Sequence, residues 1–84
     1  MKEQKHIPGK PMYSVGDRVS FELQFIDGNI ETFDGVIEIV DKYGTWENPS
    51  QPSYDIMVSD WYGSGEPMFC KHINESSIKA VLRE

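Results

Sequence analysis

Eighty-four residues allow one domain with one modest core, because a chain this short buries only roughly 60–65% of the surface its unfolded form exposes. With 38% hydrophobic residues plus seven glycines the composition is that of a globular chain, which excludes general disorder. The net charge is −6, and the single cysteine excludes an internal disulfide framework.

The charge is unevenly spread. Residues 17–66 carry eleven acids against Arg18 and Lys42, a net −9, whereas residues 1–16 carry +2 and residues 67–84 carry +1. An acidic body disfavours direct nucleic-acid binding, whose affinity comes largely from Lys and Arg displacing counterions. No apolar run approaches the ~20 residues of a membrane span. The first residues, with Lys2, Lys5, His6 and Lys10, lack the apolar stretch of a secretory signal. The expected setting is cytoplasmic and reducing, away from membranes.

Residues 1–12 read as a flexible N-terminal arm containing Pro8-Gly9 and Pro11, ahead of a domain at 13–84. Val15 stands just before the Gly16-Asp17 turn pair and is expected to plug the fold from below. In Arg18–Phe25, Val19, Phe21, Leu23 and Phe25 alternate with polar residues, the period of a half-buried strand. Asp27-Gly28-Asn29 makes the turn, with Gly28 able to take positive φ. A second strand runs from Ile30 to about Val40. Gly35 in its middle predicts a bend or bulge, and Glu38 is expected to point outward.

Lys42–Ser53 contains Gly44, Pro49 and Pro52 and reads as a long loop, which Trp46 is expected to fold onto the barrel. Tyr54–Ser59 is the third strand, with Tyr54, Ile56 and Val58 on one face. Asp60–Glu66 is a turn loosened by Gly63 and Gly65. Pro67–Ile73 is the fourth strand, Asn74–Ser77 one turn of 3₁₀ helix that Asn74 is placed to cap, and Ile78–Leu82 a closing strand. A helix over 74–83 competes with that last assignment, but the segment is short for a stable helix.

This order predicts an all-β chain, a five-stranded antiparallel barrel with a short 3₁₀ turn before the last strand. It resembles the SH3-like small barrels, Tudor and KOW domains among them. The resemblance rests on Val15-Gly16-Asp17-Arg18-Val19 opening a strand, Gly35-Val36-Ile37 restarting one, Tyr54-Asp55-Ile56, and the Ile73–Ile78 turn. It covers about residues 13–83 and extends to the fold alone, which hosts many unrelated functions.

No catalytic constellation stands out. Cys70 and His72 are two apart on a predicted strand and so share a face, yet no third member or metal-ligand spacing accompanies them. The carboxylates show no sign of desolvation that acid–base chemistry needs. Gly63-Ser64-Gly65 is too short to cradle phosphate. The chain is therefore read as a non-enzyme, with no cofactor and no metal assigned.

In an antiparallel meander the first and third turns share one end of the sheet, which gathers Asp27, Asn29, Asp60, Trp61, Tyr62 and Glu66. The resemblance to Tudor-like barrels implies that these turns build an aromatic cage for a cationic side chain. Trp61 and Tyr62 match the second turn of that cage, while the first turn offers only Phe25 or Ile26. The two rings either form such a site or cap the sheet as hydrophobic lids. The opposite end carries a secondary candidate, Tyr43 and Trp46. The expected partner is a basic peptide or protein surface. The alternatives are a KOW-like nucleic-acid module using Lys2, Lys5, Lys10 and Lys71, or an accessory module, either a monomer or a weak homodimer formed through an exposed strand edge.

Overall fold

The computed structural model describes residues 6–82, so Lys2 and Lys5 lie outside the described residues. Five antiparallel strands are present: β1 (Arg18–Gln24), β2 (Ile30–Asp41), β3 (Ser53–Val58), β4 (Met68–Asn74) and β5 (Ile78–Val81). They form one sheet in the order β4-β3-β2-β1-β5. Two 3₁₀ turns, Trp61–Gly63 and Glu75–Ser77, complete the elements, and residues 78–81 are strand, not helix. The sheet does not close into a barrel. β4 and β5 are its edges, and the four residues of β5 pair with β1 alone. No helix among the described residues is long and apolar enough to cross a membrane.

The alternating residues do what their period requires. Val19 and Phe21 from β1, Ile37 from β2, and Tyr54, Ile56 and Val58 from β3 are buried in one core with Cys70, Ile73 and Ile78. Gly35 is needed for close approach: a Cβ there would lie 2.6 Å from Ile56 Cγ2 and 2.7 Å from the Met57 carbonyl oxygen. The break in pairing that Gly35 was expected to mark falls three residues later. The β2–β3 register shifts between Ile37 and Ile39, so that exposed Glu38 is the bulged residue.

A second irregularity corrects the reading of β4. Between the pairs Tyr54–Ile73 and Ile56–Cys70, two residues, Lys71 and His72, stand opposite the single residue Asp55. His72 adopts φ 61°, and its N–H donates to Asp55 Oδ1 at 3.0 Å. This bulge breaks the alternation, so Cys70 faces the core while His72 is exposed; they do not share a face. Burial pushes the Cys70 thiol pKa up, as expected of a small apolar core residue and not of a nucleophile. Val15 is likewise no plug, since it is exposed and Tyr13 packs on the core in its place. Asn74 precedes the second 3₁₀ turn without capping it through its side chain.

A buried polar cluster adjoins this core. Glu75 is fully buried, and its Oε2 accepts from the Tyr54 hydroxyl at 2.5 Å and from the Met12 N–H at 3.0 Å. His6 Nδ1 lies 2.8 Å from Glu75 Oε1. Residues 6–12 are thereby joined to the sheet, an attachment reinforced by Gly9 N–H donating to the Lys42 carbonyl at 2.8 Å. Burial, followed by the hydrogen bond to Glu75, holds the Tyr54 pKa well above the ordinary tyrosine value.

Two outcomes follow. Gly35→Ala forces its methyl against β3 backbone and is expected to destabilise the fold by about 1–3 kcal/mol in urea unfolding. Tyr54→Phe deprives the buried Glu75 of a donor and is expected to cost about 1.5–3 kcal/mol. Because the Tyr54 pKa is raised in the folded state, its contribution is complete below pH about 10 and declines as pH rises toward the folded value. Urea midpoints measured from neutral to alkaline pH should therefore fall less steeply above pH about 10 in Tyr54→Phe than in the parent.

Candidate binding site at one end of the sheet

The β1–β2 turn is built by its own side chains. Gly28 takes φ 90°, its N–H donates to the Phe25 carbonyl at 2.9 Å, and Asn29 N–H donates to Asp27 Oδ1 at 3.0 Å. The Asn29 amide also donates to Asp27 Oδ2 at 3.0 Å, so both Asp27 oxygens are engaged within the turn. In the β3–β4 turn, Asp60 Oδ1 accepts from Gly65 N–H at 2.6 Å, and Trp61 N–H donates to the Glu66 carbonyl at 2.9 Å. These bonds fix Trp61–Gly63 as a 3₁₀ turn in which Tyr62 takes φ 55°, a left-handed conformation uncommon for an aromatic residue.

The two turns meet through aromatic rings. Trp61 stacks on Phe33 of β2, with centroids 4.5 Å apart and planes 15° from parallel. Tyr62 sits edge-on to Phe33 at 5.5 Å and to Trp61 at 5.0 Å. Behind Phe33 lie Phe21 at 6.2 Å and Phe25 at 6.4 Å. The Tyr62 hydroxyl donates to Glu31 Oε2 at 2.8 Å, tying the second turn to β2. Its pKa is raised by desolvation, then by the Glu31 hydrogen bond and charge, with a further contribution from Asp27.

A Tudor-like cage needs ring faces open to the ligand. Trp61 has given one face to Phe33 and meets the Tyr62 ring as well, so it is chiefly a lid over Phe33. Tyr62 is 58% exposed and borders an open groove of about 380 Å³ lined also by Phe33, Asp34, Val58, Asp60 and Arg18. Among the sequence-nominated residues, Asp60 and Tyr62 line this groove, Trp61 backs it through Phe33, and Asp27 reaches it electrostatically. Asn29 is committed to Asp27, and Glu66 is exposed beyond the turn. Glu31, Phe33 and Asp34, which the turns alone do not suggest, complete the groove and its rim. Their signal was the i, i+2 spacing of Glu31 and Phe33 on a strand adjoining both turns.

Tyr43 and Trp46 lie at the other end. Trp46 is 98% exposed, so it does not fold its loop onto the sheet. The loop closes on its own backbone instead: Thr45 N–H donates to the Asn48 carbonyl at 3.2 Å, Asn48 N–H donates to the Thr45 carbonyl at 3.2 Å, and Asn48 N–H also donates to Thr45 Oγ1 at 3.0 Å. A Cβ on Gly9 would approach Tyr43 Cε1 at 3.1 Å, which places the Tyr43 ring over the arm.

The two candidate rings differ in what they support. Trp61→Ala uncovers Phe33 and is expected to destabilise the fold by about 2–3 kcal/mol, whereas Tyr62→Ala, at an exposed left-handed position, is expected to change stability by less than about 1 kcal/mol. Paired urea titrations check this difference.

Comparison with known families, curated proteins and solved structures finds no match to this chain.

Proposed function

We propose that this protein is a non-enzymatic binding module that takes a Lys or Arg side chain from a basic peptide or protein surface into the Tyr62 groove. The observation that carries the reading is the exposed Tyr62 ring, fixed by Glu31 and Phe33, beside a groove bearing the carboxylates of Asp34 and Asp60. A cationic side chain entering there meets a ring, a cation–π contact contributing about 0.5–2 kcal/mol, and two acids, each contributing about 0–1 kcal/mol. Arg18 at the rim leaves the lining net acidic, and the −9 of residues 17–66 attracts a basic partner from a distance.

The sheet itself is read as the open form of an SH3-like barrel. The strand order, with β5 returning to pair with β1, and the 3₁₀ turn Glu75–Ser77 immediately before β5 support that reading. In such a scaffold the β1–β2 and β3–β4 turns present the ligand site, which is where the groove lies.

Titration with Lys- and Arg-rich peptides, followed by backbone amide shifts and tryptophan fluorescence, tests the proposal. Saturable shifts confined to residues 27–34 and 58–66 are expected, with affinity falling roughly 3–10-fold in Glu31→Gln or Asp34→Asn and falling further with added salt. Absence of shifts in both turns at millimolar peptide would overturn it.

A further inference from the structure

At the end of the sheet opposite the Tyr62 groove, side chains from three adjacent strands converge. Asp41 of β2, Asp55 of β3 and His72 of β4 offer one ligand atom each, and these atoms all lie within 4.8 Å of one another. Nothing in the local sequence spacing brings them together. Asp55 sits between two bulges, Glu38 on one side and Lys71-His72 on the other, and the second bulge turns the imidazole out of the core toward Asp55.

We propose that Asp41, Asp55 and His72 form a binding site for a first-row divalent cation of the zinc class. The donor set is right for such an ion: two carboxylate oxygens and one imidazole nitrogen, three protein ligands with a fourth position left for water or another group. The charge is also right. Two carboxylates carry −2, which a divalent ion cancels. Ligand atoms around a zinc-sized ion stand about 3.4 Å apart, so side-chain rotations of about 1 Å close the set without moving the strands. Asp55 is only 7% exposed, which keeps one ligand fixed and largely desolvated.

Two further features lie beside the cluster. Ser53 is paired with Asp41 and stands two residues before Asp55, on the same face of β3. Its hydroxyl is fully buried and has no hydrogen-bond partner among the described residues, so a polar group is left for an ion or its water to satisfy on that face. A cavity of about 200 Å³ also opens beside His72, lined by Thr45, Trp46 and Glu47.

The test is titration of the full chain with Co²⁺ followed by visible absorption, then displacement by Zn²⁺. The expected result is a saturable one-to-one spectrum of a four- or five-coordinate ion, its loss on adding Zn²⁺, and a rise in thermal midpoint with Zn²⁺. Asp55→Asn keeps an acceptor for the His72 N–H, and His72→Asn suits the left-handed backbone, so both should fold by circular dichroism while weakening the metal at least tenfold. His6→Ala should leave the affinity within twofold. No saturable spectrum up to 1 mM Co²⁺ would overturn the proposal. So would affinity unchanged in both Asp55→Asn and His72→Asn, or affinity abolished by His6→Ala.

Discussion

Glu75 contributes a carboxyl group to the interior of a chain whose core is small, and three separate parts of the molecule converge on it. The Tyr54 hydroxyl comes from β3, the Met12 N–H from the segment ahead of the sheet, and His6 from further back still. The Glu75 backbone N–H donates in turn to the Pro52 carbonyl at 2.9 Å, at the end of the long loop. A buried carboxyl group without partners is costly, so once it is placed the surrounding groups must hold their positions. That constraint fixes where β3 begins, where β4 gives way to the 3₁₀ turn, and where β5 is launched toward β1. It also explains why residues 6–12 follow the sheet although they contain no strand of their own.

Asp55 plays a comparable part on the opposite face of β3. Tyr54, Ile56 and Val58 point into the core, so Asp55 points away from it, yet it is buried, and both neighbouring strands bulge beside it. The His72 N–H that the bulge leaves without a ladder partner is satisfied by the Asp55 side chain. Two adjacent residues of one central strand thus each organise a polar cluster, one inside the sheet and one on its outer surface.

Much of the fold was legible because it depends on local signals. Strict alternation in Val19–Phe25 and Tyr54–Val58 identifies strands wherever one face is buried, and Asp27-Gly28-Asn29 encodes its turn in its own side chains. The pairing of the first and third turns at one end followed from antiparallel connectivity, and with it the neighbourhood of Tyr62 and Asp27. The remainder depends on partners far away in sequence. Glu75 reads as one residue in a polar turn, and only Tyr54, twenty-one residues away, reveals it as buried. The bulges opposite Asp55 arise from pairing two strands at once, so neither Glu38 nor His72 announces them. Trp46 misled for a related reason: a large ring is expected to seek cover, but Gly44 is packed so closely against the Asn48 and Gln51 carbonyls that the loop is stabilised by its own backbone. The groove's missing half, Glu31, Phe33 and Asp34, lies on a strand whose polar positions look like any solvated face.

The edges of the sheet bear on how such a protein recognises anything. An open sheet offers unpaired backbone at β4 and β5, and strand addition there is a general route to association. Both edges are blunted. β5 is four residues long and carries Lys79, which reaches Glu22 at 3.6 Å. β4 begins after Pro67, carries Lys71 above the Phe69 ring at 5.8 Å, and is bent by the His72 bulge. Short length, lysines and a bulge are the devices that discourage edge pairing. Recognition through the backbone is therefore disfavoured relative to recognition through side chains. The side chains that are rigidly held yet exposed are at the two ends, where turns and bulges have already absorbed the conformational cost of presenting them. Tyr62 and His72 share that description. They are the two non-glycine residues in the left-handed region among the described residues, and each donates to a carboxylate of a strand beside it, Tyr62 through its hydroxyl and His72 through its backbone N–H.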